Sequence, residues 1–338
     1  MARDEPELAL VMPAYNAAAL LSESLPPALE AAGPGGVLVV DPGSDDGTAE
    51  RAEALGARVL RLARRAGPAE ARNEGVRAVE APVVLFVDAD CVVHPDVAHR
   101  VRAAFAADPE LVSLTGSYDD RPRATNFFSL YMNLRHHHVH QGARREGASF
   151  WAGCGAVRRS AFLRVGGFDA VRYPRPMIED IELGLRLRRE GRTRLDPELQ
   201  VQHLKRWSLA SVVATDVLRR AVPWSRLILA SGELPDDLNL RRSQRAAAAL
   251  APLVLLGLGA APALALAGAA TAAAAAALPA LASLLLQRDL VRFFARRRGP
   301  AFALGGWLFH QVHLSYSAAV FALCLAEHRL RGPRGARP

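Results

Sequence analysis

The sequence predicts an α/β domain with a mostly parallel sheet, followed by C-terminal transmembrane helices. Short apolar runs rich in β-branched residues alternate with helix-periodic segments through the first half of the 338-residue chain, which is typical of βα units. No charged residue occurs from 246 to 286, a stretch about twice as long as the ~20 apolar residues that one membrane span needs. We therefore expect a soluble-type domain at residues 1–240 and a membrane region at residues 241–338.

The strands and helices of the first domain follow one another in a regular order. The apolar runs predict strands at residues 8–12, 37–41, 58–62, 83–88 and 111–117. Apolar periodicity and helix-start signals predict helices at residues 18–31, 48–55, 68–79 and 95–106. A further helix at 179–190 begins with two acidic residues at its positive end. This alternation predicts a parallel sheet with helices on both faces.

Candidate binding residues follow these strands at the edge where open α/β sheets bind ligands. They are Pro13, Tyr15 and Asn16, then Asp41, then Arg72, and finally Asp88 and Asp90. Because Asp88 and Asp90 alternate along a strand, both face the same side, where a Mg²⁺ or Mn²⁺ ion shared with phosphate oxygens can bind. The competing interpretation is that Asp-Ala-Asp only caps the following turn.

Composition and the first turn exclude several classes of protein. A dinucleotide-binding domain needs a Gly-x-Gly-x-x-Gly turn after the first strand, whereas this chain has Pro-Ala-Tyr-Asn-Ala-Ala there. A nucleotide diphosphate stays compatible, because Asp41 can accept hydrogen bonds from a ribose or base and Arg72 can hold a phosphate. The three cysteines are widely spaced, which argues against structural zinc and fits a reducing compartment. The net charge of +8 does not indicate nucleic acid, because arginine clusters flank the uncharged stretch.

The membrane region is expected to form two to three transmembrane helices, at about residues 246–266, 269–286 and 301–325. The third segment contains His310, Gln311 and His313 and would place the arginine-rich C-terminus across the membrane, against the positive-inside tendency. An interfacial position for this segment remains the alternative. The arginines beside the first two spans indicate cytoplasmic ends in contact with anionic membrane lipids. Since acidic residues interrupt any signal peptide before residue 8, we expect an integral protein of the cell or inner membrane whose first domain is cytosolic.

The motifs along residues 8–210, taken in order and spacing, resemble glycosyltransferase family 2, the inverting nucleotide-sugar enzymes. The resemblance is carried by Pro13-Ala14-Tyr15-Asn16, the loop at 41–48, Gly67-Pro68-Ala69-Glu70-Ala71-Arg72-Asn73, Asp88-Ala89-Asp90, Val165-Gly166-Gly167-Phe168-Asp169 and Glu179-Asp180-Ile181-Glu182-Leu183. It implies a Rossmann-like nucleotide-diphospho-sugar transferase domain of the GT-A type. The nucleotide-sugar-binding residues that it implies are Pro13, Tyr15, Asn16, Asp41, Arg72, Asp88 and Gly153. Metal binding falls to Asp90 with Asp88, and catalysis to Asp180, the general base, with Glu179.

The chemistry of these implied roles is coherent. A cation bound at Asp90 stabilises the departing diphosphate. Asp180 takes a proton from the acceptor hydroxyl as that oxygen attacks the opposite face of the sugar, which inverts the anomeric centre. The alternative for Glu179 and Asp180 is helix capping and compensation of the helix dipole; the motifs upstream favour catalysis.

Two departures from the family pattern bear on the substrate. Pro42 stands where the family often has a second aspartate, so a base contact by a second carboxylate is missing and the nucleotide stays open. UDP is the favoured nucleotide. The run Gln202-His203-Leu204-Lys205-Arg206-Trp207 resembles the Gln-x-x-Arg-Trp motif of processive synthases with one residue too many, which favours transfer of a single sugar.

Three residues of this run have two interpretations each. His203 is either a further metal ligand or a strand-end histidine bonded to backbone. Arg206 and Trp207 are either nucleotide-sugar-binding, as a wall against phosphate and sugar, or a marker of the membrane interface.

The histidine-rich run at residues 136–140 is a second candidate for metal binding. His136 and His140 share a helical face, but no acidic motif such as His-Glu-x-x-His accompanies them. A membrane-facing or acceptor-facing helix fits this segment at least as well.

The sequence thus leads to one function and two alternatives. The leading hypothesis is a membrane-anchored, metal-dependent, inverting glycosyltransferase that moves one sugar from a nucleotide-sugar donor to a lipid-linked or glycan acceptor near the membrane. The first alternative is a catalytically silent nucleotide-sugar-binding scaffold subunit, against which intact Asp90 and Asp180 argue. The second is a nucleotidyltransferase, although no lysine-containing activation loop lies near the first strand.

Overall fold

The computed structural model describes residues 7–147, 149–232 and 241–331. The chain forms two compact units that divide between Trp207 and Ser208. The boundary expected at residue 240 falls at the end of a segment, 233–240, that lies outside the described residues. The position of that boundary therefore stays a prediction.

The first unit is an α/β domain. Within its described residues the strands are β1 Leu8–Pro13, β2 Val37–Asp41, β3 Arg58–Arg61, β4 Val83–Val87, β5 Cys91–Val93, β6 Leu111–Tyr118, β7 Cys154–Arg158 and β8 Arg192–His203. The helices are α1 Ala18–Ala32, α2 Thr48–Ala54, α3 Pro68–Arg77, α4 Val97–Ala107, α5 Phe127–Gln141, α6 Arg159–Arg164 and α7 Glu179–Leu187. The α/β class expected from the alternating pattern is confirmed.

The strands form a single sheet in the order β3-β2-β1-β4-β7-β6-β8-β5. The neighbours β3, β2, β1 and β4 pair in parallel, as βα units require. The sheet is mixed and mostly parallel. β6 and β8 also pair in parallel, whereas β7 lies antiparallel between β4 and β6 and β5 is antiparallel to β8. β5 begins directly after Asp90 and pairs with the end of β8, so that Cys91 is opposite His203. This pairing brings β8 to the carboxyl end of β4.

Both faces of the sheet are covered by helices. The residues Val83, Leu85 and Val87 of β4 belong to a core that includes side chains of α1 and α4. The alternate residues Val84 and Phe86 belong to a second core with α3, α6 and α7. A strand buried on both faces reads as a continuous apolar run, which explains why β4 stands out in the sequence.

The second unit is helical. Its described elements are α8 Leu209–Ala214, a π-helical segment Thr215–Ala221, α9 Val222–Ser231, α10 Arg242–Leu266, α11 Ala270–Leu286 and α12 Arg288–Arg331. α12 is interrupted at Gly299, whose φ of 85° and ψ of 169° are not helical, and Pro300 follows. The expected third span at 301–325 falls in the segment after this kink.

Two helices among the described residues, Arg242–Leu266 and Arg288–Leu330, are long and apolar enough to cross a membrane, by length and composition alone. α11 matches the expected span at 269–286, but its 17 residues fall short of that length. C-terminal helices follow the α/β domain as the sequence predicts.

Candidate active site

The loops after β1 and β2 are tied together by hydrogen bonds. The amide of Asn16, a residue with a positive φ of 48°, donates to Ser44 Oγ at 3.0 Å, and the amide of Asp45 donates to Asn16 Oδ1 at 3.1 Å. The first amides of α1 are capped from the second loop, because Ala17 N donates to Thr48 Oγ1 at 2.8 Å. The two loops therefore form one rigid surface at the sheet edge.

Asp46 completes this arrangement and was not expected from the sequence. Its Oδ2 accepts the amide of Ala18 at 3.1 Å, at the positive end of α1. Burial alone would raise the pKa of Asp46, but hydrogen bonds from the Thr48 side chain and from the backbone of Ala18 outweigh it and lower that pKa. The signal available in the sequence was Asp46 two residues before Thr48 at a helix start, which is a common capping arrangement.

Asp41 and Tyr15 lie on this double loop. Asp41 is buried, and its Oδ1 accepts hydrogen bonds from the amide of Ser44 at 2.8 Å and from Ser44 Oγ at 2.6 Å. Tyr15 is 39% exposed, and the Arg65 guanidinium lies 4.7 Å from the centre of its ring. Pro13 is the last residue of β1. An aromatic face beside a buried carboxylate is a suitable surface for a nucleobase and a ribose.

Asp88 and Asp90 follow β4 as expected. The amide of Asp88 donates to the Gly153 carbonyl at 3.4 Å, which places the predicted Gly153 beside it. Asp90 Oδ2 lies 3.5 Å from His203 Nε2. Burial alone would raise the pKa of Asp90, but His203 and Lys205 outweigh it and lower that pKa. Asp90 is therefore ionised at neutral pH.

His203 is buried at the end of β8 and its ring stacks on Tyr118, with 4.3 Å between the ring centres. Its Nε2 lies 3.5 Å from the Asp90 carboxylate, and its role as a further metal ligand stays a prediction. Among the described residues, no group of three His, Cys, Asp or Glu side chains is gathered closely enough to hold a metal ion. Asp88, Asp90 and His203 thus do not form a three-residue metal site by themselves.

Arg72 lies between Asp88 and Glu179. Its Nη2 is 2.6 Å from Asp88 Oδ1 and its Nη1 is 3.2 Å from Glu179 Oε1. The Arg72 side chain is only 5% exposed and that of Glu179 7%, whereas that of Asp88 is 33% exposed. The second oxygen of Glu179 accepts the amide of Met177 at 2.7 Å. The sequence identified all three residues but not their pairing.

Asp180 follows Glu179 in the first turn of α7 and is half-buried. Its Oδ2 accepts a hydrogen bond from the Ala152 amide at 3.2 Å, and its Oδ1 accepts one from the amide of the next residue, Ile181, at 2.8 Å. Burial and the adjacent Glu179 carboxylate raise the pKa of Asp180 to about 7, although Arg72 and the two amides act in the opposite direction. A carboxylate with such a pKa is well matched to proton abstraction near neutral pH.

Asn73 fixes the turn that the sequence motif Val-Gly-Gly-Phe-Asp marks. Its Nδ2 donates to the Phe168 carbonyl at 2.8 Å, and its Oδ1 accepts the Phe168 amide at 2.9 Å. A Cβ on Gly167 would lie 2.5 Å from Asn73 Oδ1, so this position has no room for a side chain. The neighbouring residues Arg72 and Asn73 therefore hold two different segments against α3.

Two other sequence-predicted residues differ in exposure. Trp207 is buried, and its amide donates to Ser129 Oγ at 2.8 Å while Lys205 Nζ lies 4.0 Å from its ring centre. Arg206 is exposed. Their role as a wall against phosphate and sugar stays a prediction.

The histidines of α5 bind backbone carbonyls. His137 Nδ1 pairs with the Tyr118 carbonyl at 2.7 Å and His140 Nδ1 with the Gly116 carbonyl at 2.9 Å. Burial lowers the pKa of His140 to about 4, so it is neutral at physiological pH. These two side chains attach α5 to β6, as part of the fold.

Comparison with known proteins agrees with this architecture. Residues 9–166 match the family model described as glycosyl transferase family 2. The chain is similar to the mannosyltransferase PcManGT from Pyrobaculum calidifontis, solved with GDP-Man and Mn²⁺, at 21% identity and a TM-score of 0.53, covering 94% of this chain and 87% of that one. No curated protein sequence matches the chain.

Two further solved structures have lower TM-scores. S. aureus TarS 1-349 has 16% identity and a TM-score of 0.48, covering 66% of this chain and 64% of that one. Glucosyl-3-phosphoglycerate synthase from Mycobacterium tuberculosis, with Mn²⁺ and UDP-glucose, has 19% identity and a TM-score of 0.47. The match covers 67% of this chain and 79% of that one. The mannosyltransferase, with its higher TM-score, supports the fold assignment.

The fold and the family match define a glycosyltransferase of the GT-A type. The resemblance to glycosyl transferase family 2 that the sequence motifs predict is confirmed by the family match over residues 9–166.

Proposed function

We propose that the protein is a membrane-anchored, inverting glycosyltransferase that moves a single sugar from a nucleotide-diphospho-sugar to a lipid-linked or membrane-proximal acceptor hydroxyl. The observation that carries the proposal is Asp180, a half-buried carboxylate oriented by the amides of Ala152 and Ile181. It lies in the α/β domain whose residues 9–166 match the family 2 model. Its raised pKa, about 7, suits a general base at neutral pH. Inversion follows when the base-activated hydroxyl displaces the diphosphate in one step.

On the donor side, Asp88 and Asp90 are the residues that would hold a divalent cation. Their carboxylates are partly exposed, at 33% and 28%, and both lie at the end of β4. Carboxylate oxygens suit Mg²⁺ and Mn²⁺, and Mg²⁺ is commonly bound by one or two carboxylates together with substrate phosphates. Such a donor set therefore fits the absence of a three-residue cluster among the described residues. When bound, the cation would neutralise charge on the departing diphosphate.

The chain's own residues would bind and orient the nucleotide. Tyr15 offers an exposed ring, Asp41 a buried carboxylate, and Asn16 holds the two loops together. Pro42 follows Asp41, so a second carboxylate for the base is missing at this position. UDP stays the favoured nucleotide, and a guanosine donor is the first to compare with it.

The membrane anchor motivates the choice of acceptor. The helices α10 and α11 expose large apolar side chains, namely Leu253, Leu256, Leu258, Leu266, Leu278, Leu281, Leu284, Leu285 and Leu286. Exposed leucines on uncharged stretches of helix are typical of lipid-facing surfaces. A domain on such an anchor would meet acceptor hydroxyls at the membrane surface, which favours a lipid-linked acceptor.

The test is donor turnover by the detergent-solubilised full chain with Mn²⁺ or Mg²⁺. UDP-glucose, UDP-N-acetylglucosamine and GDP-mannose form the first panel, with extracted membrane lipid as acceptor. We expect release of the nucleotide diphosphate from one donor, and an anomeric configuration in the product opposite to that of the donor.

Two outcomes would contradict the proposal. Retention of the donor's configuration would exclude the single displacement. Metal-dependent nucleotide binding without turnover, even with complete membrane extract, would favour the scaffold alternative.

Glu53→Gln, which removes one partner of the exposed ion pair with Arg61, is the matched control and should turn over donor as the wild type does.

A further inference from the structure

We propose that Arg72 and Glu179 are a positioning pair that orients Asp88 on the donor side and the start of α7 on the acceptor side. The inference rests on the proposed role of Asp180 as the base. It assigns neither Arg72 to the nucleotide nor Glu179 to proton transfer; both act through the carboxylates beside them.

The contacts of Glu179 leave it no free oxygen for chemistry. One oxygen is 3.2 Å from Arg72 Nη1 and the other accepts the Met177 amide at 2.7 Å. The side chain is also almost fully buried. A group that exchanges protons with a substrate must reach it directly or through one water, which this arrangement prevents.

Both terminal nitrogens of Arg72 are likewise engaged in contacts within the protein. Its two terminal nitrogens bind Asp88 and Glu179, and its guanidinium carbon lies 5.4 Å from the centre of the Phe168 ring. The Arg72 side chain is only 5% exposed, and its pair with Glu179 is buried. Loss of that pair would leave a buried carboxylate without a counter-charge. The fork geometry of arginine suits it to bridge two carboxylates at fixed separation, and a lysine lacks this geometry.

Asp88 is the exposed end of this chain of contacts. Its Oδ1 is held by Arg72, and its side chain is 33% exposed. We infer that Glu179, by drawing one side of the guanidinium toward α7, limits Arg72 to a single contact with Asp88. Without Glu179, Arg72 can engage both oxygens of Asp88 and withdraw that carboxylate from the donor.

The same pair faces Asp180. The groups that act on Asp180 are the carboxylate of Glu179, the guanidinium of Arg72, and the amides of Ala152 and Ile181. Glu179 opposes ionisation of Asp180 and Arg72 favours it. Removing the charge of Glu179 should therefore lower the pH midpoint of the transfer rate, and removing the charge of Arg72 should raise it.

The experiment compares Glu179→Gln, Arg72→Gln and Arg72→Lys with the wild type in the full chain, with Glu53→Gln as control. For Glu179→Gln we expect the donor KM to rise about tenfold and the pH midpoint of kcat to fall, with kcat above that midpoint little changed. For Arg72→Gln the midpoint should rise. Arg72→Lys should restore the midpoint but not the donor KM, because an ammonium cannot bridge both carboxylates.

Binding of Mn²⁺ with UDP or with GDP, measured by calorimetry on the same variants, gives a readout independent of turnover. We expect weaker binding to Glu179→Gln than to the wild type. If Glu179→Gln only lowers the melting temperature and leaves donor KM, nucleotide affinity and pH midpoint unchanged, the pair has a purely structural role and the inference is wrong. Should Glu179→Gln lose kcat at every pH with an unchanged donor KM, Glu179 transfers protons itself.

These results separate the inference from the proposed function. If the wild type turns over donor, and its donor KM and pH midpoint do not depend on Glu179, the inference about the positioning pair is wrong and the proposed function stands. Nucleotide binding that depends on Glu179, in a chain that turns over no donor, would contradict the proposed function and support the pair on the donor side. If Arg72→Gln fails to fold, Arg72→Lys and Glu179→Gln decide.

Discussion

At the scale of single residues, the protonation of Asp180 should govern the pH dependence of transfer. Only the ionised carboxylate accepts a proton, and burial beside Glu179 raises the pKa of Asp180 to about 7. The ionised fraction, and with it kcat, should increase as the pH rises through about 7 and level off above it. Rates measured from pH 5 to 9 under donor saturation test this.

Asp180→Asn is the companion measurement. The amide has a similar shape but takes no proton, so transfer should fall by roughly 10²- to 10⁴-fold, while the affinity for Mn²⁺ and nucleotide stays near that of the wild type. Transfer at the wild-type rate would exclude Asp180 as the base.

The site residues differ in how far the sequence revealed them. Asp88, Asp90 and Asp180 are predicted as site residues from short motifs and from the order of those motifs along the chain. The pairing of Arg72 with Glu179 was not predictable, because 107 positions separate them and only the tertiary fold brings α3 to the start of α7. A local sequence motif indicates which chemical role a residue can take, whereas tertiary packing determines which side chain it pairs with.

At the scale of elements, the turn between α6 and α7 depends on Gly167 in a way that Gly166 does not share. Both have positive φ, at 70° and 83°, so either alanine substitution strains the backbone. Only at Gly167 would a Cβ also lie 2.5 Å from Asn73 Oδ1, whereas at Gly166 no atom lies within 4 Å.

Gly167→Ala should therefore be the more destabilising of the two variants. The added methyl displaces the hydrogen bonds between Asn73 and Phe168, which are worth about 0.5–1.5 kcal/mol each, beyond the strain that both variants share. Thermal unfolding of the two variants, side by side in the same detergent, measures the difference. Equal melting temperatures would show that the turn can move away from α3.

The elements that the sequence did not reveal are those without local periodicity. β7 was missed because it follows an irregular loop and pairs antiparallel between β4 and β6. An antiparallel strand needs no crossover helix before it, so the helix period that marks a βα unit is absent there. The βα units from β1 to β4 were found because strand and helix periods alternate there. The kink at Gly299 could not be located, since a glycine in a helix-like pattern often stays helical.

At the scale of the whole molecule, the apolar second unit contains buried polar side chains that bond one another. Ser283 Oγ donates to Gln311 Oε1 at 3.0 Å, and Gln311 Nε2 donates to Gln287 Oε1 at 3.1 Å. His313 Nδ1 pairs with Tyr316 Oη at 2.7 Å, and Tyr316 donates to Asp216 at 2.8 Å. Buried polar side chains that bond one another are compatible with a surrounding hydrocarbon phase. The polar residues of the expected third span thus do not argue against an anchor.

The anchor itself can be tested by fractionation. If α10 and the segment of α12 after Gly299 cross the bilayer, the full chain should stay in the membrane pellet after extraction with alkaline carbonate or high salt and dissolve only in detergent. The physical reason is that each span transfers about 20 apolar residues into hydrocarbon, which neither charge screening nor deprotonation reverses. Arginine clusters alone would hold the protein only electrostatically, and high salt would then release it. Release by salt would leave a peripheral enzyme that meets its acceptor from the membrane surface, whereas retention through carbonate supports the integral anchor.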